Sequence, residues 1–293
     1  RFTWQLAEKG HVLPITARGS GTDQTGAAIG KGIIMAFPAH LGRILELDSK
    51  QRMVRVQPGI NFKSLQETLH THGLFLPPYP ASYKYSTVGG AIANNTAGEK
   101  SLKYGSIREW VDRLEVVLAN GEVLQTGRIS KRELEKKKGL ATFEGEVYRA
   151  VDGVLADHAE SIAQYADTMQ TTKDSIGYAL HDIKRKDGSF DLTPLIVGSQ
   201  GTLGIVAEAI VKAATYAPAT ELIVAGFDSV ESAVEATEQL LQLQPSALEM
   251  VDENLLKFVQ REQGANPLAE VFGADAVIPK IMLFIEFDDI NDR

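Results

Sequence analysis

The sequence predicts an α+β fold, in which antiparallel strands and helices occupy separate stretches of the chain. Antiparallel pairing is indicated by "RLEVVLANGEVLQTG", where Asn120-Gly121 suits a two-residue type I′ hairpin turn. Helices are indicated by the apolar spacing in "NFKSLQETLHTHG" and by the charged run of residues 130–165. From about Ala217 the order becomes strand, helix, helix and strand, which predicts a second, smaller α+β unit.

The composition excludes several classes of protein. Of the 293 residues, 44% are hydrophobic, which is enough for one large core or two smaller ones, and the net charge of −8 argues against a nucleic-acid partner. The absence of cysteine excludes disulfides and thiolate chemistry, and it suits a reducing, cytoplasmic location. The longest apolar stretches are far shorter than the roughly 20 residues of a transmembrane helix, so we expect membrane contact to be peripheral at most.

The first elements can be assigned in order. "RFTWQLAEKGHVLPI" reads as the end of a helix, stopped by Gly10, that runs into a strand, and a chain that begins in this way at Arg1 predicts an N-terminally truncated domain. Strands follow in "GAAIGKGIIMAF" and "MVRVQPG". Asn61 is expected to cap the next helix and Gly73 to end it.

The later elements are predicted from the same signals. "FDLTPLIVGSQGTLGIVAEAIVKA" predicts two apolar strands around a glycine-rich turn. In the smaller unit we expect a strand at "ELIVAGF", a capping box from Asp228 and Glu231, a helix that Gln244-Pro245 ends, and a strand at residues 281–287. The predicted domains are residues 1–216 and a partial domain of residues 217–293.

Glycine is concentrated in three segments, at residues 19–32, 89–98 and 198–204. The first follows a strand, as phosphate-binding loops do, but Gln24 breaks the G-x-G-x-x-G spacing, and Ala27 stands where a P-loop needs lysine. Two interpretations remain open for this loop: a nest of backbone N–H groups that holds an anion, or an ordinary turn between strands. The second and third segments favour a ligand, because small residues let a backbone approach a flat molecule closely.

Three stretches together carry a family resemblance: "PITARGSGTDQTG", the run from "VQPGINFKSL" through "PASYKYSTVGGAIANNTAGEKSLKYGS" to "VLANGEVLQTG", and "LIVGSQGTLGIVAEAIVK". They resemble the FAD-binding domain of the vanillyl-alcohol oxidase/p-cresol methylhydroxylase (PCMH-type) superfamily, and within it the glycolate oxidase subunit and D-lactate dehydrogenase branch. The resemblance covers roughly residues 10–215. A weaker similarity, in "PSALEMVDENLLKFV", is to the start of the branch's substrate-side cap domain.

The resemblance implies a PCMH-type fold of two α+β subdomains followed by the start of an α+β cap, with FAD extended between separate loops. It implies that the first loop holds the pyrophosphate, that the second lies along the flavin and ribityl chain, and that the third closes over the cofactor. The implied cofactor-binding residues are Arg18, Gly19, Ser20, Gly21, Thr22, Pro80, Ala81, Ser82, Thr87, Gly89, Gly90, Ala93, Asn94, Gly98, Tyr104, Gly105, Gly201, Gly204, Ile205 and Val206.

Two positions depart from the pattern of this branch. Relatives with covalent flavin often carry histidine where this chain has Thr22, so we expect noncovalent FAD. Gln200 stands where the branch usually has glutamate, which changes the local charge. No metal site is expected, because His70-x-His72 has a spacing that points the two rings apart.

The resemblance implies an FAD-dependent oxidoreductase that oxidises a D-2-hydroxy acid, such as D-lactate or glycolate, by hydride transfer to the flavin. The catalytic base and substrate-binding residues are expected beyond Arg293, so none is assigned here. An iron–sulfur domain or subunit is a candidate electron acceptor. The alternatives are a non-catalytic FAD-binding subunit of a glycolate oxidase-like complex, and another superfamily activity such as aryl-alcohol oxidation or alkyl-dihydroxyacetone-phosphate synthesis.

Overall fold

The structure is a computed structural model that describes residues 1–169, 171–264, 268–273 and 277–288. By its internal contacts the chain divides into two compact units. The larger unit comprises Arg1–Gly98 and Gly105–Tyr216, and the smaller unit comprises Glu99–Tyr104 and the chain from Ala217 onward. The short segment Glu99–Tyr104 thus belongs to the smaller unit although it lies within the larger one in sequence.

The described residues form twelve strands and eleven α-helices. The strands are β1 (Ile15–Arg18), β2 (Ile33–Ala36), β3 (Ile44–Asp48), β4 (Met53–Val56), β5 (Leu74–Phe75), β6 (Val111–Val117), β7 (Val123–Gln125), β8 (Ile205–Lys212), β9 (Ala214–Thr215), β10 (Glu221–Phe227), β11 (Ala247–Asp252) and β12 (Ile281–Phe287). The helices are α1 (Phe2–Glu8), α2 (Phe62–His70), α3 (Val88–Ala93), α4 (Ser101–Tyr104), α5 (Lys131–Lys138), α6 (Phe143–Asp157), α7 (Ala159–Thr168), α8 (Thr193–Ile196), α9 (Val230–Leu241), α10 (Glu253–Gln263) and α11 (Ala269–Phe272).

A five-stranded antiparallel sheet forms the centre of the larger unit, in the order β3-β4-β8-β6-β7. Helix α2 contributes the predicted stripe to the core, since Phe62, Leu65 and Leu69 are fully buried. Asn61 caps this helix by accepting a hydrogen bond from the Ser64 N–H, as predicted. The helix ends at His70, earlier than expected, and Gly73 lies with φ +68° in the turn that follows.

The first glycine segment connects two parallel strands. Strands β1 and β2 pair in parallel, with Ile15 opposite Ile33 and Arg18 opposite Ala36. Parallel neighbours need a long crossover connection, which is usually a helix. Here residues 19–32 form that connection without a helix, so their backbone N–H groups are not used in a helical ladder.

The predicted hairpin of β6 and β7 is present, but its turn differs from the prediction. The Gly121 N–H donates to the Leu118 carbonyl at 2.9 Å, and the Leu118 N–H donates to the Glu122 carbonyl at 2.9 Å. Gly121 has φ +81°, whereas Asn120 is not among the residues with positive φ. The loop therefore has three residues and ends in a glycine with left-handed backbone. Such a loop also places glycine last, so the dipeptide Asn-Gly alone does not distinguish it from the predicted two-residue type I′ turn.

The prediction of a strand immediately before the third glycine segment is wrong. Residues Thr193–Ile196 form the short helix α8, with Pro194 in its first turn. The Thr193 N–H donates to Asp191 Oδ1 at 2.8 Å, which turns the chain into the helix. The fixed φ of proline suits the start of a helix. The second predicted strand is present as β8.

The smaller unit contains a three-stranded antiparallel sheet in the order β10-β12-β11. Helix α9 packs on it through Ala233, which is fully buried with Leu283 and Ile285. The predicted cap at Asp228 is wrong, because Ser229 is the N-cap and accepts from the Ser232 N–H at 3.2 Å. Strand β11 was not predicted.

Among the described residues, no helix is both long enough and apolar enough to cross a membrane.

Candidate cofactor-binding site

A cleft in the larger unit brings the three glycine-rich segments together. It encloses about 1050 Å³ of space, including its open mouth. The residues that line it are Ala17, Arg18, Gly19, Ser20, Gly21, Thr22, Asp23, Ala27, Ala28, Phe37, Pro58, Pro80, Ser82, Ser86, Thr87, Gly89, Gly90, Ala91, Ala93, Asn94, Thr96, Ile196, Ser199, Gln200, Gly201, Gly204, Ile205 and Val206.

The first wall is the loop that follows β1. Arg18 Nη1 donates to the Ala28 carbonyl at 3.0 Å, so the guanidinium spans the base of the loop. Gly21 has φ +72°, and a Cβ atom there would lie 2.1 Å from Arg18 Nη2. The left-handed backbone at this position favours glycine, and a side chain there would also displace the arginine. The loop presents small residues and backbone N–H groups to the cleft, as a nest for an anion does.

Asp23 organises the far end of the same loop. Its carboxylate accepts hydrogen bonds from the N–H groups of Thr25 and Ala27, at 3.1 and 2.9 Å, and from Asn94 Nδ2 at 3.1 Å. Burial raises the pKa of Asp23, but the hydrogen bonds from Ala27, Thr25 and Asn94 lower it by more, so the pKa lies below its ordinary value. The carboxylate is therefore ionised at neutral pH.

The second wall begins at Thr87, which caps α3 by accepting from the Gly90 N–H at 3.1 Å. This wall lies close to the first, since a Cβ atom on Gly19 would come within 2.2 Å of Thr87 Oγ1. It also lies close to Pro58, whose carbonyl oxygen would be 2.8 Å from a Cβ atom on Gly89. The glycines in this stretch thus allow close backbone packing as well as access for a ligand.

The third wall is the turn between α8 and β8. Gln200 has φ +53° and Gly201 has φ +77°, so two successive residues adopt the left-handed conformation. The Gln200 N–H donates to the Ala93 carbonyl at 3.0 Å, which joins this turn to the end of α3. Ile205 and Val206 begin β8 and add apolar surface to the cleft.

The cleft fits a dinucleotide in its chemistry. It combines backbone N–H groups and short hydroxyls for phosphate and ribityl oxygens with Ile196, Ile205 and Val206 for a flat ring. Ser86 lies in its lining and is only 5% exposed, and its Oγ has no hydrogen-bond partner among the described residues. A buried hydroxyl without a partner is unusual and is typical of a site that a ligand completes.

The cleft contains sixteen of the twenty residues that the resemblance implied. The other four are Ala81, Gly98, Tyr104 and Gly105, which do not line it. Ala81 is exposed. A Cβ atom on Gly98 would lie 1.9 Å from the Tyr79 carbonyl oxygen, and one on Gly105 would lie 2.1 Å from Glu109 Oε1. The Tyr104 hydroxyl donates to Asp288 Oδ2 at 3.0 Å within the smaller unit.

Several lining residues were not predicted from the sequence. Phe37, Pro58 and Ile196 come from other elements, and no local pattern marks them. Asp23 did carry a signal, since aspartate followed two residues later by threonine favours an Asx turn. The remaining lining residues outside the implied set are Ala17, Ala27, Ala28, Ser86, Ala91, Thr96, Ser199 and Gln200.

Metal-binding geometry is not found in the part of the chain that the structure describes, where no three histidine, aspartate or glutamate side chains are grouped to hold an ion. His70 stacks on Tyr216 with ring centroids 4.0 Å apart. His72 Nδ1 lies 2.9 Å from the Thr68 carbonyl oxygen. Both histidines thus have structural contacts at the end of α2.

Two family models match the chain, one described as an FAD binding domain over residues 2–127 and the other as the C-terminal domain of FAD linked oxidases over residues 217–292. The fold, the cleft and these matches define an FAD-binding domain followed by the C-terminal domain of FAD linked oxidases. The chain belongs to the FAD-linked oxidases of the PCMH type, and FAD is the cofactor of this family.

Relatives with curated names include the glycolate oxidase subunit GlcD of Bacillus subtilis, at 33% identity over 85% of this chain and 43% of that protein. The D-2-hydroxyglutarate dehydrogenase of Pseudomonas putida is 30% identical over 94% of this chain and 27% of that protein. The D-lactate dehydrogenase of Archaeoglobus fulgidus is 25% identical over 96% and 50%. The chain thus spans half or less of the length of these relatives.

A solved structure of an alkyldihydroxyacetonephosphate synthase has the same fold. The TM-score is 0.61 at 21% sequence identity, over 97% of this chain and 44% of that protein. At this identity the likeness concerns the fold alone.

Proposed function

We propose that the cleft binds FAD without a covalent bond, and that the parent protein oxidises a D-2-hydroxy acid such as D-lactate or glycolate. The observation that carries the proposal is the convergence of three glycine-rich segments, distant in sequence, on one cleft with an unpartnered hydroxyl at Ser86. The relatives are named for glycolate, D-2-hydroxyglutarate and D-lactate. All three are 2-hydroxy acids, and this supports the proposed substrate class.

In this proposal each group of lining residues has a role in FAD binding that follows from its position and chemistry. The backbone N–H groups of Gly19, Ser20 and Gly21 bind the diphosphate, and Arg18 keeps that loop in shape. Thr87, Gly89 and Gly90, with Pro80 and Ser82, would hold the ribityl chain and the flavin, and the apolar side chains of Ile205 and Val206 would contact the ring. The bound FAD supplies a hydride acceptor. Thr22 offers no imidazole for a covalent bond, so the flavin is released when the chain unfolds.

A substrate oxidation also needs a base for the hydroxyl proton and a cation for the substrate carboxylate. We assign neither to this chain. FAD binding is therefore tested on the 293-residue chain, and oxidation of a hydroxy acid is tested on the whole protein.

The test is a titration of the purified chain with FAD, followed by quenching of flavin fluorescence. Saturable binding at one FAD per chain, with all flavin released into the supernatant on acid precipitation, is the expected result. A chain that takes up no FAD would contradict the cofactor assignment, and flavin that stays in the pellet would contradict its noncovalent attachment.

The substrate is tested on the parent protein with D-lactate, glycolate and a dye acceptor, each alone and together. Flavin that bleaches with a D-2-hydroxy acid is expected, whereas flavin that stays oxidised with every one of them favours a non-catalytic FAD-binding subunit. That alternative has one specific support, since the Bacillus subtilis relative is named as a subunit. An iron–sulfur electron acceptor and a cytoplasmic location remain predictions, which metal analysis and fractionation of the parent protein can check.

A further inference from the structure

Asp23 is the one acidic residue among the described residues that line the cleft, and it lies in the loop that is proposed to hold a diphosphate. A carboxylate at this place is unexpected, because like charges repel. Its hydrogen bonds explain its presence. Four donors surround the carboxylate: two backbone N–H groups, the Thr25 hydroxyl at 3.0 Å and Asn94 Nδ2.

These bonds join all three walls of the cleft. Asp23 holds its own loop through Thr25 and Ala27, and it reaches 71 positions along the chain to Asn94 at the end of α3. Thr25 Oγ1, which contacts the same carboxylate, lies 3.5 Å from Gln200 Nε2 in the third wall. One side chain thus contacts two walls directly and the third through Thr25.

We infer that Asp23 is a positioning residue, whose carboxylate fixes the first loop against α3 in the shape that binds the FAD diphosphate. This inference rests on the proposed function. The carboxylate has its oxygens turned to protein donors, so it stabilises the loop without offering a contact to the phosphates. Because the loop is already ordered, FAD binding does not have to reduce its conformational entropy, and the affinity for FAD is higher for that reason.

The matched control is Asp48, because it has the same local chemistry away from the cleft. Its Oδ1 accepts hydrogen bonds from the N–H groups of Lys50 and Gln51, both at 2.9 Å. Asp48→Ala removes a carboxylate that caps a turn in the same unit, and it leaves the cleft unchanged. A general effect of losing such a carboxylate would therefore appear in both variants.

The experiment measures the Kd for FAD of the whole chain and of Asp23→Ala and Asp48→Ala, at about 0.05 M and about 0.5 M salt, where screening differs strongly. We expect Asp23→Ala to raise the Kd about tenfold, which is 1.4 kcal/mol, and Asp48→Ala to leave it unchanged. The ratio for Asp23→Ala stays the same at both salt concentrations, because the effect is on the shape of the loop. Melting temperatures without FAD verify that each variant is folded.

A second pair of variants covers the case in which Asp23→Ala does not fold. Asn94→Asp places two carboxylates against each other and weakens FAD binding, whereas the exchange Asp23→Asn with Asn94→Asp restores one donor and one acceptor and recovers most of the affinity. An exchange variant that binds no better than Asn94→Asp alone would contradict the inference.

Three other results would overturn it. Asp23→Ala could bind FAD as tightly as the original chain, it could bind more tightly because a repelling charge is gone, or its effect could vanish at high salt. Failure of the original chain to bind FAD is a different result, because it refutes the proposed function together with this inference.

Discussion

At the scale of single residues, the polar atoms of the cleft differ in how fully they are bonded. Asp23 has all its donors within the protein, whereas Ser86 Oγ has no partner among the described residues. A buried polar group without a partner destabilises the fold by its lost hydration. The unpartnered hydroxyl of Ser86 therefore lowers the free energy of unfolding of the protein without FAD, whereas the bonded carboxylate of Asp23 does not.

Ser86→Ala is expected to stabilise the chain in the absence of FAD. The substitution removes the unsatisfied hydroxyl, and the free energy of unfolding should rise by roughly 1 kcal/mol. Urea unfolding measures the change. The matched control is Ser189→Ala, since Ser189 is also a buried serine, but its Oγ donates to Asp187 Oδ1 at 2.6 Å and accepts from Arg128 Nε at 2.9 Å. The control should lower the stability, and a loss in Ser86→Ala as well would show that its hydroxyl is bonded.

His70 makes the stability of the larger unit depend on pH. Partial burial lowers the pKa of His70 from its ordinary value of 6.5, and the Glu67 carboxylate offsets part of the effect. The unfolded chain therefore takes up a proton at a higher pH than the folded chain does. Stability from this group is present above the unfolded-state pKa of 6.5, begins to be lost as the pH falls below that value, and is lost fully as the pH falls through the lower pKa of the folded state.

The expected result is a smaller loss of stability between about pH 8 and pH 5.5 in His70→Phe than in the original chain. Phenylalanine keeps a ring that can stack on Tyr216 and removes the titrating group. Unfolding by urea at each pH, in both proteins, measures the difference. Equal pH dependence in the two proteins would exclude a contribution from His70.

At the scale of elements, the sequence predicted those that a local signal defines. Helix α2 has both a cap and an apolar stripe, and strand β12 is a run of seven residues that are nearly all apolar, so both were found. Strand β11 was missed because most of its residues are exposed or half-buried, which leaves little alternation. Helix α8 was mistaken for a strand because four apolar or β-branched residues carry no period, and only Asp191 and Pro194 indicate the turn.

The residues of the candidate site also divide into those that a local sequence signal predicts and those that it does not. The glycine segments could be found from the sequence because glycine tolerates positive φ and close approach wherever it stands. Phe37 and Pro58 reach the cleft through the packing of distant elements, which no local pattern encodes. Tyr104 and Gly105 follow the second segment directly in sequence, yet the chain leaves the cleft before it reaches them.

Asn61 supports both a helix and the second wall of the cleft. Its Oδ1 caps α2 at Ser64, and its Nδ2 lies 3.1 Å from the Lys84 carbonyl oxygen and 3.3 Å from that of Ser86. Asn61→Ala should lower the free energy of unfolding by about 1–2 kcal/mol, the usual loss for a cap. Asn61→Ser keeps an acceptor for the cap and loses the donor, so an intermediate loss is expected in the same urea measurement. A loss in Asn61→Ser as large as in Asn61→Ala would assign the whole effect to the donor.

At the scale of the whole molecule, the segment Glu99–Tyr104 belongs to the smaller unit, although the chain before and after it belongs to the larger one. Lys100 is 7% exposed, and its Nζ lies 2.6 Å from Glu286 Oε1 and 3.2 Å from Ser246 Oγ. Lys103 donates to Asp288 at 2.8 Å. Burial raises the pKa of Asp288, but the bonds from Lys103 and Tyr104 lower it by more, so this carboxylate is charged at neutral pH.

Lys100→Met should destabilise the smaller unit by roughly 1–3 kcal/mol, because it removes the cation from the half-buried Glu286 and leaves the buried Asp288 with Lys103 as its remaining cation. Hydrogen exchange of the β12 amides reports on this unit. Both tryptophans, Trp4 and Trp110, lie in the larger unit, so their fluorescence transition should change much less. Lys103→Met is the control, since its side chain is 23% exposed and its loss should be smaller. Unchanged exchange in Lys100→Met would contradict a stabilising role for the pair.

The pairing of Lys100 with Glu286 spans 186 positions of the chain, and this has a consequence for folding during synthesis. A ribosome adds about 5–20 residues per second, so the lysine waits roughly ten to forty seconds for its partner to be made. During that time the larger unit can form its sheet as soon as β8 has emerged, before Glu286 has been made. The smaller unit is therefore completed on the ribosome after the larger one, although part of it is among the first hundred or so residues of this sequence.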